Sequence, residues 1–366
     1  MRRVPKLRRV GSWTTGPPLS IHVSFNRSAL SSNVDTISMR PVALDNAPYL
    51  TASDPEVIAD FIAKHAPHVA RIGIETGATS TWLWTELKKE ELPVICIDAR
   101  HAKAALKMQI NKNDRNDAVG IARIMQCGWY KEVGVKDLDS HAIKALLVSR
   151  ALLVKMKRDL ENQVRGLLKN LGLVIGRAKM TTFWVRASEL IADKPALAAA
   201  VEPLLKAREA LERQIDDLDR KVLAMARNEP DVRRFMTVPG VGPITALCYF
   251  ATIDDPTRFN KSRNVGAYVG LTTRRYASGE IDRTGRISKC GDAMLRSYLY
   301  EAANVLLTRV AKWSALKAWG MRVAKRSSLA KAKVAVARKL AVILHRMWID
   351  GTEFNWSSKE ATAQTA

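Results

Sequence analysis

Short apolar runs and amphipathic segments alternate along the first 135 residues of the chain. Runs rich in isoleucine and valine at 69–75 and 93–98 predict buried strands, and a weaker alternation at 19–25 predicts another strand. Three segments have apolar residues at helical spacing and predict helices: 57–62, 81–89 and 114–125. Strands that alternate with helices indicate an α/β domain over residues 20–135, whose functional groups gather at strand ends and in the following turns.

Residues 136–229 have a different pattern, with apolar residues every three or four positions in two long stretches. Each stretch predicts a long amphipathic helix, and the segment 172–195 separates the two. An antiparallel helical pair, an intermolecular coiled coil and an ordinary intramolecular bundle all fit this pattern. The intermolecular coiled coil would make the protein a homo-oligomer.

A third region, 230–350, opens with a glycine-containing turn, Val-Pro-Gly-Val-Gly, which precedes an apolar helix at 244–251. This form is typical of a helix-hairpin-helix. In such a motif Gly240 and Gly242 would let a nucleic-acid phosphate approach the backbone amides at the start of the next helix. A plain turn between two helices is the alternative.

Basic residues dominate the rest of this region. A stretch rich in glycine, serine and threonine contains Arg274, Arg275, Arg283, Arg286 and Lys289. From 309 to 346 there are eleven lysines and arginines and no acid. The apolar residues that could face a core in this terminal helical region are Val310, Trp313, Val323, Val334, Leu340, Leu344 and Met347. A solvated basic face is one interpretation, but the absence of acids favours contacts with backbone phosphates.

The composition of the whole chain supports a nucleic-acid partner. Its 366 residues include 59 lysines and arginines against 36 acids, a formal net charge of +23, which indicates a polyanionic partner. A membrane surface would also attract this charge, but no apolar run approaches the roughly 18 residues that span a bilayer. The cysteines lie far apart without a C-x-x-C pair, so we expect a reducing cytoplasm. The basic residues 1–19 and the polar residues 351–366 are expected to form disordered tails.

Three acids have the character of metal ligands. Glu75 closes an apolar strand, where a buried and unpaired carboxylate would be costly, and the turn that follows can leave it at the sheet edge. Asp114 and Asp117 lie three residues apart at a predicted helix start, so they repel each other unless a cation lies between them. Metal-dependent phosphodiester cleavage needs carboxylates that converge on divalent ions. A helix cap at Asp114 and an exposed polar turn are the alternatives.

Several motifs follow one another in a characteristic order. They are Ile74-Glu75-Thr76-Gly77, the segment 112–118, the Val-Pro-Gly-Val-Gly turn, Gly270-Leu271, Ser278-Gly279 and the segment 286–296. This order closely resembles the DEDD transposases of insertion sequences, a family that includes bridge-RNA-guided recombinases and Piv-type DNA invertases. The resemblance covers residues 55–350.

This resemblance implies three domains. They are a RuvC-like domain of ribonuclease H type at 20–135, a long helical coiled-coil connector at 136–229, and a C-terminal helical transposase domain with a helix-hairpin-helix at 230–350. The implied partners are DNA at the element ends and target, a structured guide RNA, and further copies of the chain. The implied location is the bacterial cytoplasm, in association with the nucleoid.

The resemblance also implies a mechanism. In that family four acids bind Mg²⁺ or Mn²⁺, and a serine attacks the DNA phosphate to form a covalent phosphoserine link. Glu75, Asp114 and Asp117 match the second, third and fourth acids. Ser278 is the expected nucleophile, and Ser288 is the alternative because it lies in an equally polar turn. Metal ions and basic groups would have to activate the weakly nucleophilic hydroxyl.

The family's first acid normally ends an early strand, and by the resemblance its nearest counterpart here is His22, in Ser-Ile-His-Val-Ser. Neutral histidine is a poor ligand for magnesium, so we expect DNA binding with weak or absent recombination. Residues 26–50 also resemble the family poorly. A shifted reading frame or a decayed element is one explanation, and substitution of the missing carboxylate by Asp35 or a different acid is another. A non-catalytic nucleic-acid-binding relative, and a junction endonuclease that uses the same acids without serine chemistry, are the alternative functions.

Overall fold

The computed structural model describes residues 20–25, 36–41, 49–52, 54–108, 114–176 and 182–356. The chain divides into two compact units, Met1–Lys136 and Asp137–Ala366. Residues 1–19 and 357–366 of the expected disordered tails lie outside the described residues. Residues 351–356 of the expected C-terminal tail are described, and they are folded against the second unit: Phe354 packs on its core, and the amide of Phe354 donates to the hydroxyl of Thr237 at 3.0 Å. The finer division of the second unit into a connector and a C-terminal domain stays a prediction.

The first unit contains a five-stranded sheet within its described part. The strands are β1 Ser20–Phe25, β2 Thr36–Pro41, β3 Tyr49–Ala52, β4 Arg71–Glu75 and β5 Val94–Ile97. Their order is β3-β2-β1-β4-β5, in which β1, β2 and β3 are antiparallel neighbours and β4 is parallel to both β1 and β5. The carboxyl ends of β1, β4 and β5 therefore meet at one edge of the sheet.

Four helices accompany this sheet: α1 Pro55–His65, α2 Ser80–Lys89, α3 Ala99–Ala105 and α4 Asp114–Gln126. Ile72 and Ile74 are fully buried in a cluster with side chains of α1 and α2. Between them Gly73 makes room for α4, because a Cβ built at this position would lie 2.1 Å from the sulfur of Met125. The alternating pattern of β4 thus places α1 and α2 on one face of the strand and α4 on the other.

The second unit begins with two long helices, α5 Leu138–Lys169 and α7 Pro195–Asn228, which flank the short helix α6 Phe183–Ile191. Three ion pairs join the long helices: Arg150 with Asp219, Lys157 with Glu212, and Glu161 with Arg208. From one ion pair to the next, the residue number rises by seven and then by four on α5, and it falls by seven and then by four on α7. The two helices therefore form an antiparallel pair within the chain, while further assembly into oligomers stays a prediction.

Arg208 is the buried centre of this helical pair, with 2% of its surface exposed. Its Nε donates to Glu161 at 2.7 Å, its Nη1 donates to Glu212 at 2.7 Å, and its guanidinium carbon lies 5.2 Å from the ring centre of Phe183. Removal of one partner from a buried ion pair lowers the stability of the fold, because the other charge stays buried without its counter-ion. Arg208 therefore fixes the register of α5 against α7.

We expect Arg208→Ala to lower the free energy of unfolding by about 3 kcal/mol, because two half-buried carboxylates lose their cation. The matched control is Arg220→Ala in the same helix. Arg220 pairs with Asp217 but is 78% exposed, so its loss should cost about 0.5 kcal/mol or less. Urea unfolding followed by circular dichroism measures both changes, and equal losses would contradict the structural role of Arg208.

Where the structure describes it, the rest of the second unit is helical apart from one hairpin. The helices are α8 Pro230–Met236, α9 Pro243–Ile253, α10 Arg263–Tyr268, α11 Ala293–Thr308, α12 Ala315–Arg326 and α13 Leu329–Asp350, and the hairpin strands are β6 Thr273–Ser278 and β7 Ile281–Ile287. The core surrounds α9, where the fully buried Tyr249 donates its hydroxyl hydrogen to the carbonyl of Ala341 at 2.8 Å. No helix in the described ranges is both long enough and apolar enough to cross a bilayer.

The predicted basic terminal region forms two helices, α12 and α13, joined at Ser327 and Ser328. Leu340, Leu344 and Met347 are buried as expected. The prediction for Trp313 was wrong, because this residue precedes α12 and is 61% exposed.

Candidate functional site

Glu75 is the last residue of β4, at the sheet edge where the carboxyl ends of the parallel strands meet. The turn after it is fastened to the end of β5. The amide of Thr76 donates to the carbonyl of Ile97 at 3.0 Å, and its hydroxyl accepts from the amide of Ala99 at 3.0 Å. The half-buried Glu75 is therefore held at a defined place on this edge.

A further acid at the same edge, Asp98, was not singled out from the sequence. It follows β5 as Glu75 closes β4, and it caps α3 by accepting from the amides of Arg100 and His101 at 2.8 and 3.4 Å. Burial alone would raise the pKa of Asp98, but the hydrogen bonds and charge of Arg100 lower it below its usual range. A strand that ends in an acid was the available signal, and the structure gives this one a capping role.

Helix α4 begins at Asp114 and carries Asp117 in its first turn. Asp117, Ile121 and Met125 are four residues apart, and the latter two are buried, Met125 against Gly73. The half-buried Asp117 therefore extends the face of α4 that packs on the sheet. The side chain of Asp114 lies outside the described part of the chain. Among the side chains that are described, no group of three or more histidines, cysteines and acids could hold a metal ion.

His22 lies in the middle of β1. Its backbone pairs with Gly73 of β4 on one side and with Arg40 of β2 on the other. Position 22 thus lies on the strand next to β4. Its partner in the register, Gly73, is two residues before Glu75. Asp35, the suggested substitute for a missing acid, lies outside the described residues.

Ser278 ends β6 at the tip of the β6–β7 hairpin. The strands are joined by a two-residue turn in which Gly279 has a φ of +55°, a value that such turns favour at their first central position. Every residue from 273 to 286 is exposed, so the hairpin has no core of its own. An isolated hairpin of this kind is marginally stable in water, and its stability must come from its base.

Two glycines form that base. A Cβ at Gly270 would lie 2.0 Å from the carbonyl oxygen of Cys290, and a Cβ at Gly291 would lie 2.0 Å from the carbonyl oxygen of Tyr268. Both glycines also have left-handed φ values, +72° and +81°. The two chain segments at the foot of the hairpin therefore cross with their backbones in direct contact, which only glycine permits.

Arg296 and Asp292 complete the base from α11. Arg296 donates from Nη1 to the carbonyls of Val269 and Cys290 at 3.1 and 3.3 Å. Asp292 caps α11 and forms an ion pair with Lys144 at 2.7 Å. The two ends of the motif, at Gly270 and from Cys290 to Arg296, thus anchor the hairpin that carries Ser278.

We expect Gly270→Ala to destabilise the second unit by about 3 kcal/mol, because a left-handed φ and a backbone collision act together. The matched control is Gly279→Ala. Gly279 also has a left-handed φ, but no described atom lies within 4 Å of a Cβ built there, so its cost should be about 1 kcal/mol. Urea unfolding of both variants tests this difference, and a small, equal cost would show that the glycine crossing carries no strain.

Three side chains that could act as nucleophiles differ in environment: those of Ser288, Ser278 and Cys248. The half-buried Ser288 belongs to the base: its carbonyl accepts from Arg274 at 3.3 Å, and its hydroxyl accepts from the amide of Cys290 at 3.4 Å. Burial raises the pKa of Cys248 to about 11, so its thiol stays protonated near neutral pH. Ser278 alone among these three is exposed at a tip.

The glycine turn at 237–242 joins α8 to α9. Gly240 has a φ of +90°, and a Cβ there would lie 2.4 Å from the carbonyl oxygen of Ala302 in α11. Gly242 is the N-cap of α9, with no described atom within 4 Å of its own Cβ position. Gly240 thus has a packing role within the chain, and contact of either glycine with a phosphate stays a prediction.

The basic residues selected from the sequence lie on or near the hairpin. Arg275 donates from Nε and Nη2 to Asp282 at 2.8 and 2.9 Å, so its charge is balanced within the chain. Arg274 is exposed and bonds to the base of the hairpin, while Arg286 and Lys289 are exposed. Arg274, Arg283, Arg286 and Lys289 are thus exposed at this hairpin without the intramolecular carboxylate pairing that Arg275 has, and their contact with a polyanion stays a prediction.

Comparisons with known proteins agree with these observations. Residues 232–318 match a family model described as "Transposase IS116/IS110/IS902 family", and residues 49–172 match a DEDD transposase model of the IS110 type. Both matched segments leave out β1 and therefore His22. The first match contains Ser278 and the hairpin base, and the second contains Glu75, Asp114 and Asp117.

Several relatives are similar over most of the chain. The transposase for insertion sequence element IS1111A of Coxiella burnetii is 33% identical over 69% of this chain and 70% of its own length. A probable family 20 transposase of Pseudomonas aeruginosa is 31% identical over 78% of this chain and 86% of its own length. The transposase for insertion sequence element IS1328 of Yersinia enterocolitica is 29% identical over 67% of this chain and 74% of its own length. The chain therefore belongs to the IS110 family of insertion-sequence transposases, with a DEDD transposase domain in its first part.

Proposed function

We propose that this transposase cleaves and exchanges DNA strands by divalent-metal-dependent chemistry in which Ser278 is the nucleophile. The observation that carries the proposal is the position of Ser278. It is an exposed hydroxyl at the tip of a hairpin whose residues 273–286 are all exposed, while the base of the hairpin is held by two close backbone contacts at Gly270 and Gly291. Such a build suits a group that must reach a large substrate in a fixed orientation.

The first unit supports the metal-dependent half of this proposal. The strand order β3-β2-β1-β4-β5, with three antiparallel strands followed by two parallel ones, is compatible with the RuvC-like domain of ribonuclease H type that the resemblance implies. Glu75 at the carboxyl edge and Asp117 on the sheet-facing side of α4, with Asp114 one turn before it, supply oxygen donors. Such donors fit Mg²⁺ or Mn²⁺ better than a transition metal. A bound divalent ion would supply positive charge to the attacking and leaving oxygens.

The chemical step at Ser278 is a transesterification. The Oγ–P bond forms as one P–O bond of the DNA backbone breaks, the serine proton is lost to solvent or a base, and the departing sugar oxygen takes up a proton. Attack by a DNA hydroxyl on the phosphoserine reverses these events and joins a new strand. Arg274 and Arg283, both exposed on the hairpin, would bind the negative charge of the phosphate.

The charge distribution supports DNA as the substrate. The net charge of +23 and the acid-free segment 309–346, most of whose cations are exposed on α12 and α13, favour contact with a phosphate backbone. We further propose, from the resemblance, that the protein binds a structured guide RNA and acts on DNA as a homo-oligomer in the bacterial cytoplasm. We also propose that His22 weakens catalysis, since by the resemblance it is the nearest counterpart of the family's first acid.

The test uses the full chain, Mg²⁺ and a plasmid that carries the ends of its insertion sequence, with His22→Asp in parallel. A protein–DNA adduct that survives denaturation supports serine chemistry. Metal-dependent cutting without an adduct would instead indicate a junction endonuclease. Binding without cutting in both proteins would indicate a non-catalytic DNA-binding relative.

A further inference from the structure

One face of the hairpin surrounds Ser278 with a particular set of side chains. The register pairs Ser278 with Ile281 and Tyr276 with Arg283. Directly paired residues, and residues two positions apart on one strand, lie on the same face of a β-ribbon. Tyr276, Ile281 and Arg283 therefore share the face of Ser278.

The two faces of the hairpin differ in the partners that their side chains have. The opposite face carries Arg275 and Asp282, which bind each other through two hydrogen bonds. On the face of Ser278, Tyr276 is 60% exposed and Ile281 is 57% exposed. The ring of Tyr276 lies beside Gly285, where a Cβ would come within 3.4 Å of it. Two large apolar side chains are thus exposed to water on the face that carries Ser278.

We propose that Tyr276 stacks on a nucleobase of the DNA beside the phosphate that Ser278 attacks. The charge of the hairpin selects this occupant, because Arg283 pairs directly with Tyr276, and Arg274, Arg286 and Lys289 are exposed elsewhere on the hairpin and its base. An aromatic ring with cations beside it matches a nucleotide, whose base stacks while its phosphate is bound. A protein partner would not call for this excess of positive charge.

The dimensions of the hairpin also fit DNA. A two-stranded ribbon is narrow enough for the major groove, and several DNA-binding proteins use strands in this way. Tyr276 lies two residues before Ser278, about 7 Å along the strand, comparable to the separation of a phosphate and its neighbouring base. Ile281 lies directly across from Ser278 on β7 and would add an apolar contact beside the same nucleotide.

The inference rests on the proposed function only for its claim that the bound base adjoins the reacting phosphate. Stacking on Tyr276 would hold one nucleotide out of the helical stack. This would fix the phosphate relative to the hydroxyl of Ser278. Tyr276 is thus a positioning residue, and its contribution can be measured as binding, without any chemistry.

The experiment uses the full chain and a DNA duplex that carries one bulged 2-aminopurine, whose fluorescence falls when an aromatic ring stacks on it. Tyr276→Phe keeps the ring, and Tyr276→Val removes it while keeping a residue that favours strands. The control is Thr284→Val, an exposed position on the opposite face. We expect quenching with the parent chain, Tyr276→Phe and Thr284→Val, and its loss with Tyr276→Val, with affinity weakened about 5- to 150-fold.

Quenching by Tyr276→Val equal to that of the parent chain would overturn the inference. Adduct formation at Ser278 is measured separately, with the parent chain and with Tyr276→Val. If Tyr276 is needed for quenching but Ser278 forms no adduct, the nucleobase site stands and the proposed chemistry fails. If the adduct forms at Ser278 but the fluorescence is quenched equally with and without the ring of Tyr276, the proposed function stands and this inference fails.

Discussion

Replacement of Ser278 by alanine is expected to lower formation of the covalent protein–DNA product by about 10³-fold or more, the scale on which loss of a nucleophile acts. The hairpin offers the phosphate no other exposed serine at its tip. Because Ser278 is exposed and contacts no core, the variant should fold and bind DNA as the parent chain does. The product is measured as a slowly migrating band on a denaturing gel.

Ser288→Ala is the matched control for this prediction. Its hydroxyl accepts one long hydrogen bond, 3.4 Å from the amide of Cys290, so its loss should change the hairpin base little. We expect this variant to keep most of its adduct. Loss of the adduct in Ser288→Ala, with retention in Ser278→Ala, would exchange the roles of the two serines.

The second large effect is a gain. We expect His22→Asp to raise Mg²⁺-dependent strand cleavage by about 10²-fold, since a restored carboxylate ligand is worth several kcal/mol and each 1.4 kcal/mol is tenfold. Position 22 lies on β1 beside Gly73 and in register two residues before Glu75, so a carboxylate there belongs to the same part of the sheet. Rates are compared at saturating DNA and fixed salt.

The control for the gain is His22→Asn, which has nearly the shape of aspartate and no charge. It should leave the rate close to that of the parent chain, because the expected effect depends on a negatively charged oxygen donor. Robust strand transfer by the parent chain, unchanged in His22→Asp, would show that histidine at this position does not impair the enzyme.

Local patterns in the sequence were sufficient to predict β4, β5, α1, α2 and α4, because the apolar face of each element repeats within its own residues. Strands β2 and β3 were not predicted, since they depend on pairing with β1. The hairpin β6–β7 was also missed. All its side chains but the last are exposed, so no alternation of apolar and polar residues marks it.

The candidate site shows the same division between local and distant information. The three acids could be selected from strand ends and spacing, and Ser278 from its motif. The packing reason for Gly240 depends on α11, more than 50 residues away in the sequence. The function of Gly270 depends likewise on Cys290. Contacts between distant segments of this kind leave no periodic trace in a single sequence.

The identity of the residue that carries DNA tests the central claim most directly. Trypsin cuts after Arg275 and Arg283, so Ser278 lies in the peptide 276–283, while Ser288 lies in the separate peptide 287–289. After nuclease and trypsin digestion of the adduct, mass spectrometry locates the residual nucleotide. We predict that it is attached to Ser278 in peptide 276–283. Attachment to Ser288 or Tyr276, or strand exchange without any protein-bound nucleotide, would contradict the account.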